Sequence, residues 1–421
     1  MPAWNAPATP AATRVEERHQ SVTGQAPRHV ADAPGTFIVI GENADHFGGI
    51  TVVGLAGLRA AVAVSPRTDS KISVDADFAG EHISDVVEGA RIAQLGDAGF
   101  SAFSAEATED APAAQDDAPR GLAVRLGGLV HTLVGRQMLS RDTAGLDITV
   151  VADIPLGSGL GALHATDVAL GLALLADDAD IDTAPLRTRL AEIASQSVKT
   201  FSDLPVLRAR HSAALRGVGN TVSVVDYADG SLTQAPHPAR EGVRILTVAA
   251  AFGEPFADES QAVTTGREFI DEACTNFGVV SLRQLPDAAE RVVEWVDARR
   301  QVHGADSAPT LETARAWVAF SETETQQSAD AAKALRSMRP DEFFALIGEP
   351  ARTPGLPVPD QLVQLLAMRG ARAARPAAAG MSQAVLAYIP AKSADNAIAD
   401  LAADGLAVAE ITTGDTARVI N

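Results

Sequence analysis

The sequence predicts a mixed α+β protein of two domains. Three observations lead there. The chain has 421 residues, more than one hydrophobic core ordinarily organises. Short β-branched runs alternate with longer stretches of helical spacing. The composition, 46% hydrophobic and 21% charged, is that of a folded chain. Aromatics make up only 4%, so Ala, Val and Leu must carry the packing. Lys and Arg number 34 against 54 Asp and Glu, a formal net charge of −20. That balance counts against nucleic acid as a partner and against docking on an anionic membrane, both of which need clustered cations.

In chain order, residues 1–32 are rich in Ala, Pro, Thr and charge and predict a disordered lead-in. A first domain, 33–235, opens with a strand at 36–40, a glycine-bounded loop at 41–49 and apolar segments at 50–64 and 71–74. Residues 102–119 turn acidic and Ala/Pro-rich, as a solvated insertion does. Helical spacing returns at 121–139. The alternation of Leu146, Ile148 and Val150 predicts a strand running to Ile154. Next come a glycine turn at 157–161 and an apolar helix at 162–176, an order that presents backbone N–H groups to an anion. A helix-rich stretch covers 186–215 and a strand 221–225. Residues 236–242 read as a linker into a second domain, 236–421, with a strand at 243–248, helices between 265 and 346, and strands near 384–389 and 406–411.

The single cysteine, Cys274, excludes an internal disulfide framework and a cysteine-based zinc site. It reads as a small buried hydrophobe, and Trp295 and Trp317 as packing of the second domain. Asp153 reads as a solvent-facing residue at a strand end. Residues 1–30 lack the apolar core of a secretory leader. The best apolar run, 165–176, is broken by Asp167 and too short to span a bilayer. A cytoplasmic location is the expectation. No two histidines have metal-ligand spacing on one helix, and Gly157 to Gly161 is neither a Walker A loop nor a dinucleotide fingerprint.

Two loops remain as carriers of chemistry. The first runs Ala33-Pro34-Gly35-Thr36-Phe37-Ile38-Val39-Ile40-Gly41-Glu42-Asn43-Ala44-Asp45-His46-Phe47-Gly48-Gly49, and the second Pro155-Leu156-Gly157-Ser158-Gly159-Leu160-Gly161. Glu42 and Asp45 could read sugar hydroxyls, because carboxylates accept hydrogen bonds from them and reject an epimer that leaves one unpaired. A tight acidic turn would look the same.

The first loop resembles the galactokinase signature A-P-G-R-x-x-x-I-G-E-H-x-D-Y-x-G-G. The second is similar to the phosphate loop P-x-G-x-G-L-S-S-S-A of the wider superfamily of galacto-, homoserine, mevalonate and phosphomevalonate (GHMP) kinases. Arg267, Cys274, Phe277-Gly278 and Ser281-Leu282-Arg283 resemble a further galactokinase segment, and the likeness spans about 31–415. It implies a two-domain GHMP kinase fold, with a ribosomal-protein-S5-like N-terminal domain and a ferredoxin-like-type α+β C-terminal domain. It also implies transfer of the γ-phosphoryl of ATP, with Mg²⁺, to the anomeric hydroxyl of a sugar. Sugar contacts would fall to Glu42, Asn43, Asp45, His46, Gly48 and Gly49. Nucleotide contacts would fall to Pro155, Gly157, Ser158, Gly159, Leu160, Gly161 and Ala162.

The chemistry-bearing positions depart from the pattern. Thr36 stands where the family has its catalytic arginine, and cannot neutralise a transferring phosphoryl group. Ala162 and Leu163 replace serines that reach phosphate and Mg²⁺. A gapless count back from Val224-Val225-Asp226 puts Arg210 and His211 where the catalytic aspartate and its glutamine belong; a gap would bring in Asp203 as a substitute base. The family's last motif, M-T-G-A-G-F-G-G, has become Pro376-Ala377-Ala378-Ala379-Gly380-Met381-Ser382-Gln383. The resemblance thus implies a galactokinase-like protein impaired in catalysis, binding sugar or nucleotide or regulating a protein partner. The alternatives are an active galactokinase with a rearranged site, or a kinase for another small alcohol.

Overall fold

A computed structural model describes residues 4, 6–45, 48–104, 120–143, 145–253, 257–349, 351–379 and 381–420. The chain begins with α1 (Ala11–Thr23) and continues through β1 (His29–Ile40), β2 (Ile50–Arg67), β3 (Lys71–Phe78), β4 (Glu81–Glu88), α2 (Gly89–Ser104) and α3 (Leu122–Gly135). Then come β5 (Gly145–Ala152), α4 (Ala162–Leu174), α5 (Ala184–Phe201), α6 (Arg208–Arg216), β6 (Thr221–Asp226) and β7 (Ser231–Pro236). These strands form one sheet in the order β12-β1-β2-β5-β3-β4, with β6 on β2 and β7 on β6; β12 (Arg418–Ile420) returns from the C-terminus. β2 is 18 residues long: β1 runs along one edge, and the other edge takes β5 along its second half and β6 along its start. β1 and β2 read as near-continuous Ala/Val runs because helices cover both faces: α1 on one, α4 on the other.

Between Pro236 and Val243 the chain leaves this sheet. A second, four-stranded antiparallel sheet has the order β11-β8-β10-β9, built from β8 (Val243–Ala249), β9 (Ala373–Pro376), β10 (Val385–Pro390) and β11 (Ala407–Ile411). The helices α7 (Ala257–Phe277), α8 (Ala288–His303), α9 (Leu311–Arg336), α10 (Pro340–Gly348), α11 (Asp360–Met368) and α12 (Ala394–Ala403) complete this half. The largest hydrophobic cluster crosses from one half to the other, joining Phe37, Ile40 and Val62 to Ile245, Phe343 and Tyr388. Trp317 and Cys274 lie in a separate cluster between α7, α8 and α9, with Trp295 stacked on Phe269 at 6.3 Å. Among the described residues no helix is long and apolar enough to cross a membrane.

Two expectations are corrected. The lead-in is not disordered over its described part: α1 covers 11–23 and β1 begins at His29. Ala11, Val15 and His19 recur every four residues and are buried against the outer face of the sheet, a stripe that the Ala/Pro-rich composition hides. Asp153 does not face solvent. It is 8% exposed and paired with Arg14 of α1, and burial pushes its carboxyl above the ordinary range. The acidic stretch falls outside the described residues from 105 onward; 102–104 end α2.

Candidate functional site

The first loop leaves β1 at Ile40 and turns back into β2 at Ile50. Its carboxylates are held from the second half of the chain. Asp45 accepts from Arg267 of α7 at 3.0 Å and from the Arg208 amide at 2.5 Å, the latter placing its charge at the N-terminus of α6. Asn43, at φ 60°, accepts from Arg267 at 3.2 Å and donates to the Ala379 carbonyl at 3.3 Å. Glu42 accepts from the Ala379 amide at 3.0 Å, and burial raises its carboxyl despite that bond and the nearby Arg210 and Arg375. The Gly48 carbonyl accepts from Ser281 Oγ at 3.2 Å and from Arg283 at 2.9 Å. Gly49 packs under Thr325 of α9. His46 lies outside the described residues. The segment 267–283 is thereby brought onto the first loop as a clamp.

Arg210 is the largest fully buried side chain among the described residues. Its guanidinium reaches across to the strand that carries Thr36, donating to the Thr36 carbonyl and lying 3.2 Å from Thr36 Oγ1. A further bond at 2.9 Å goes to the Gly159 carbonyl. Burial lowers its pKa to about 10, opposed by the charges of Glu42 and Asp45. A cation therefore stands beside the position where the resemblance expects an arginine, but it comes from α6 and is engaged by backbone carbonyls. His211, the next residue, is turned into the core: its Nε2 lies 3.0 Å from Asp167 and its Nδ1 2.9 Å from Ser195 Oγ. Asp203 does not line this cleft. It is half exposed, accepts from the Arg120 amide at 2.9 Å, and borders an adjoining groove.

The glycine loop is packed against protein. Gly157, at φ 69°, approaches Gly253 so closely that a Cβ would lie 2.3 Å from its carbonyl oxygen; a Cβ on Gly159, at φ 76°, would lie 2.5 Å from Ala377 Cβ. Ser382 Oγ donates to the Gly157 carbonyl and Thr247 Oγ1 to that of Ser158, each at 2.6 Å. The Ser158 hydroxyl turns inward to the Pro155 carbonyl at 2.7 Å. Leu160 is fully buried, its carbonyl accepting from the Thr36 amide at 2.9 Å. Gly161 caps α4 at φ 68°, followed by Ala162 and Leu163, which have no side-chain oxygen. Leu207, Ala378 and Met381 close the other side as a small apolar cluster, with Ala378 held at φ 54°, a region that favours glycine. What remains is a cleft of about 50 Å³. Small-molecule sites ordinarily offer ~300–1,000 Å³, so the cleft is narrow; it adjoins a second groove along Leu156, Leu163 and Leu204. With Ala162, Leu163 and the inward Ser158, the loop supplies no side-chain oxygen for Mg²⁺, so the groups present do not suit MgATP.

Two buried residues at this junction have no signal in the sequence. Glu324, in the middle of α9, accepts from the Gly41 amide at 2.8 Å, and Arg375 of β9 donates to the same Glu324 oxygen at 2.8 Å. Glu324 is one of several charges along α9 and Arg375 sits in a four-residue strand, so neither stands out by its pattern.

Comparison with known proteins adds the relationship. Residues 17–66 match the galactokinase galactose-binding signature. The chain is 25% identical over 300 residues to a galactokinase of Streptomyces coelicolor, covering 68% of each. It is 26% identical over 302 residues to one of Mycobacterium bovis, covering 70% of this chain and 76% of that one. Among solved structures, Lactococcus lactis galactokinase complexed with galactose superposes with a TM-score of 0.70 at 16% identity, over 96% of this chain and 99% of that one. A D-glycero-D-manno-heptose 1-phosphate kinase from Bacteriodes thetaiotaomicron gives a TM-score of 0.53 at 12% identity. The fold is that of the GHMP kinases. Within that class the chain is similar in sequence to the galactokinases, over the 17–66 signature and about two thirds of its length.

Proposed function

We propose that this chain keeps the framework of a sugar kinase without its phosphoryl transfer, and acts through binding or regulation. The observation that carries the reading is Arg210. Where the family needs a carboxylate base on this helix, a guanidinium instead ties the β1 backbone to the glycine loop, and a guanidinium accepts no proton. Without a base on this helix or a side-chain Mg²⁺ ligand on the glycine loop, in-line transfer has neither its positioned nucleophile nor its charge stabilisation. Within this reading the first loop remains the sugar-side element, and a regulatory role would call for a protein partner in the same compartment. We also propose the division of the chain near residue 235 as its domain boundary.

The test is calorimetric titration with MgATP. No saturable binding is expected below the millimolar range; micromolar affinity would contradict the reading. The rearranged-enzyme alternative draws on the same Arg210, since it returns a positive charge to the neighbourhood of Thr36. That alternative requires Asp203 as base, so any turnover must vanish in Asp203→Ala.

A further inference from the structure

On the α9 side of the first loop lies a cavity of about 210 Å³, sharing no lining residue with the glycine-loop cleft. Three of the charged side chains that line it are buried: Glu42, Glu324 and Arg375, which are 6%, 1% and 3% exposed. The Ala379 amide holds Glu42, and the Gly41 amide and Arg375 hold Glu324. Yet Glu42 Oε1, Glu324 Oε2, and Arg375 Nε and Nη1 have no hydrogen-bond partner among the described residues. An unpartnered buried polar atom is costly, and a charged one more so. Here two acceptors and two donors are left open around one cavity, which is the arrangement of a site rather than of a core.

The open atoms define the ligand. Each carboxylate in this buried network already has a cation near it: Asp45 has Arg267, Glu324 has Arg375, and Glu42 lies in the fields of Arg210 and Arg375. A charged ligand would therefore enter without a counter-charge. A ligand carboxylate would also want two adjacent guanidinium N–H groups. Nη2, which belongs to both forks of Arg375, already gives one of its two N–H groups to Glu324, whose charge lies beside any fork left open. A hydroxyl, by contrast, donates to a carboxylate oxygen and accepts from a guanidinium N–H at once. Phe320, Val358 and Val363 supply an apolar wall, and Thr353 with the Arg352–Asp360 pair stands at the polar rim. The space equals roughly seven water volumes at ~30 Å³ each.

We propose that the cavity enclosed by α9, β9 and the segment before α11 binds a small, neutral, polyhydroxylated molecule, gripped by Glu42, Glu324 and Arg375. This deepens the reading of the chain as a binding protein and rests on it; nucleotide binding and turnover decide that reading, whereas the titration below decides this one. The site lies apart from the glycine loop and shares only Glu42 with the sugar-side positions of the first loop.

The experiment is calorimetric titration of the full chain with galactose, sorbitol and myo-inositol, with ethanolamine and serine as charged probes. Val358→Trp fills the cavity from a partly exposed segment, and Glu324→Gln keeps the bulk while removing the charge. Saturable binding of at least one polyol is expected, weakened at least about tenfold in both variants. Should Val358→Trp fail to fold by circular dichroism, Glu324→Gln carries the test alone. Polyol binding unchanged in the folded variants would overturn the proposal by placing the ligand elsewhere. Binding of ethanolamine or serine but of no polyol would overturn the ligand class. No binding of any probe would mean that the cavity holds only water, and would overturn the proposal outright.

Discussion

Asp45, a carboxylate singled out in the sequence for sugar contact, is joined to Arg267 from the other half of the chain. Both side chains are almost wholly buried, so the pair is set by geometry and is intolerant of losing one member. Arg267→Met is expected to destabilise the protein by about 3–5 kcal/mol, the range for stranding one charge of a buried pair. Urea denaturation measures this directly; a loss under about 1 kcal/mol, as for a surface pair, would show that the clamp is not needed. Arg210 and Thr36 were singled out in the sequence, Arg210 by a gapless count back from Asp226, and in the structure the two side chains meet. Glu324 and Arg375 were not legible. Their importance comes from the Gly41 amide and from each other, partners that only the folded chain brings together.

Among the elements, α1 makes the clearest separate prediction. His19 is fully buried between Thr149 Oγ1 at 2.8 Å and Ser65 Oγ at 3.0 Å, and burial holds its pKa below the ordinary 6.5. His237, buried beside Phe37, is held down to about 4 in the same way. A histidine whose folded pKa is depressed takes up its proton more readily when unfolded. Stability is therefore full above about pH 6.5 and falls as the pH drops from there toward the folded values. The melting temperature should decline between pH 7 and pH 5, and His19→Gln should flatten part of that decline. An identical slope in the variant would remove His19 from the account. Elements with strong period or spacing were readable in advance: β5, α4, β8 and β10 lie where alternation and apolar runs put them. The strands β4, β7, β9 and β12 were not, being short or polar on one face, and taking their place from neighbouring strands rather than from their own pattern.

Across the whole molecule, the C-terminus binds the two halves. After β11 the chain returns to the first sheet: the Gly414 amide donates to the Leu55 carbonyl at 3.0 Å, Ala417 to Ala214 at 2.9 Å, and β12 pairs with β1. Arg59 donates to the Asp415 and Thr416 carbonyls at 2.8 and 3.0 Å. With a hydrophobic cluster that also crosses the halves, the chain is expected to unfold in a single transition. Ending it after Ile411 should lower the midpoint by several degrees. A truncated chain with an unchanged midpoint would contradict that role. The same packing that joins the halves also brings Thr247, Gly253, Ala377 and Ser382 onto the glycine loop.

The most direct measurement is the rate at which the purified chain converts galactose, with ATP and Mg²⁺, to galactose 1-phosphate. Ordinary kinases turn over at about 1–100 s⁻¹, and loss of one preorganised donor alone costs about 100- to 1,000-fold. The account expects no product above background, or a rate at least about 100-fold below that range. Turnover within it would show that Arg210 and its surroundings form a rebuilt catalytic site, and would contradict the central claim.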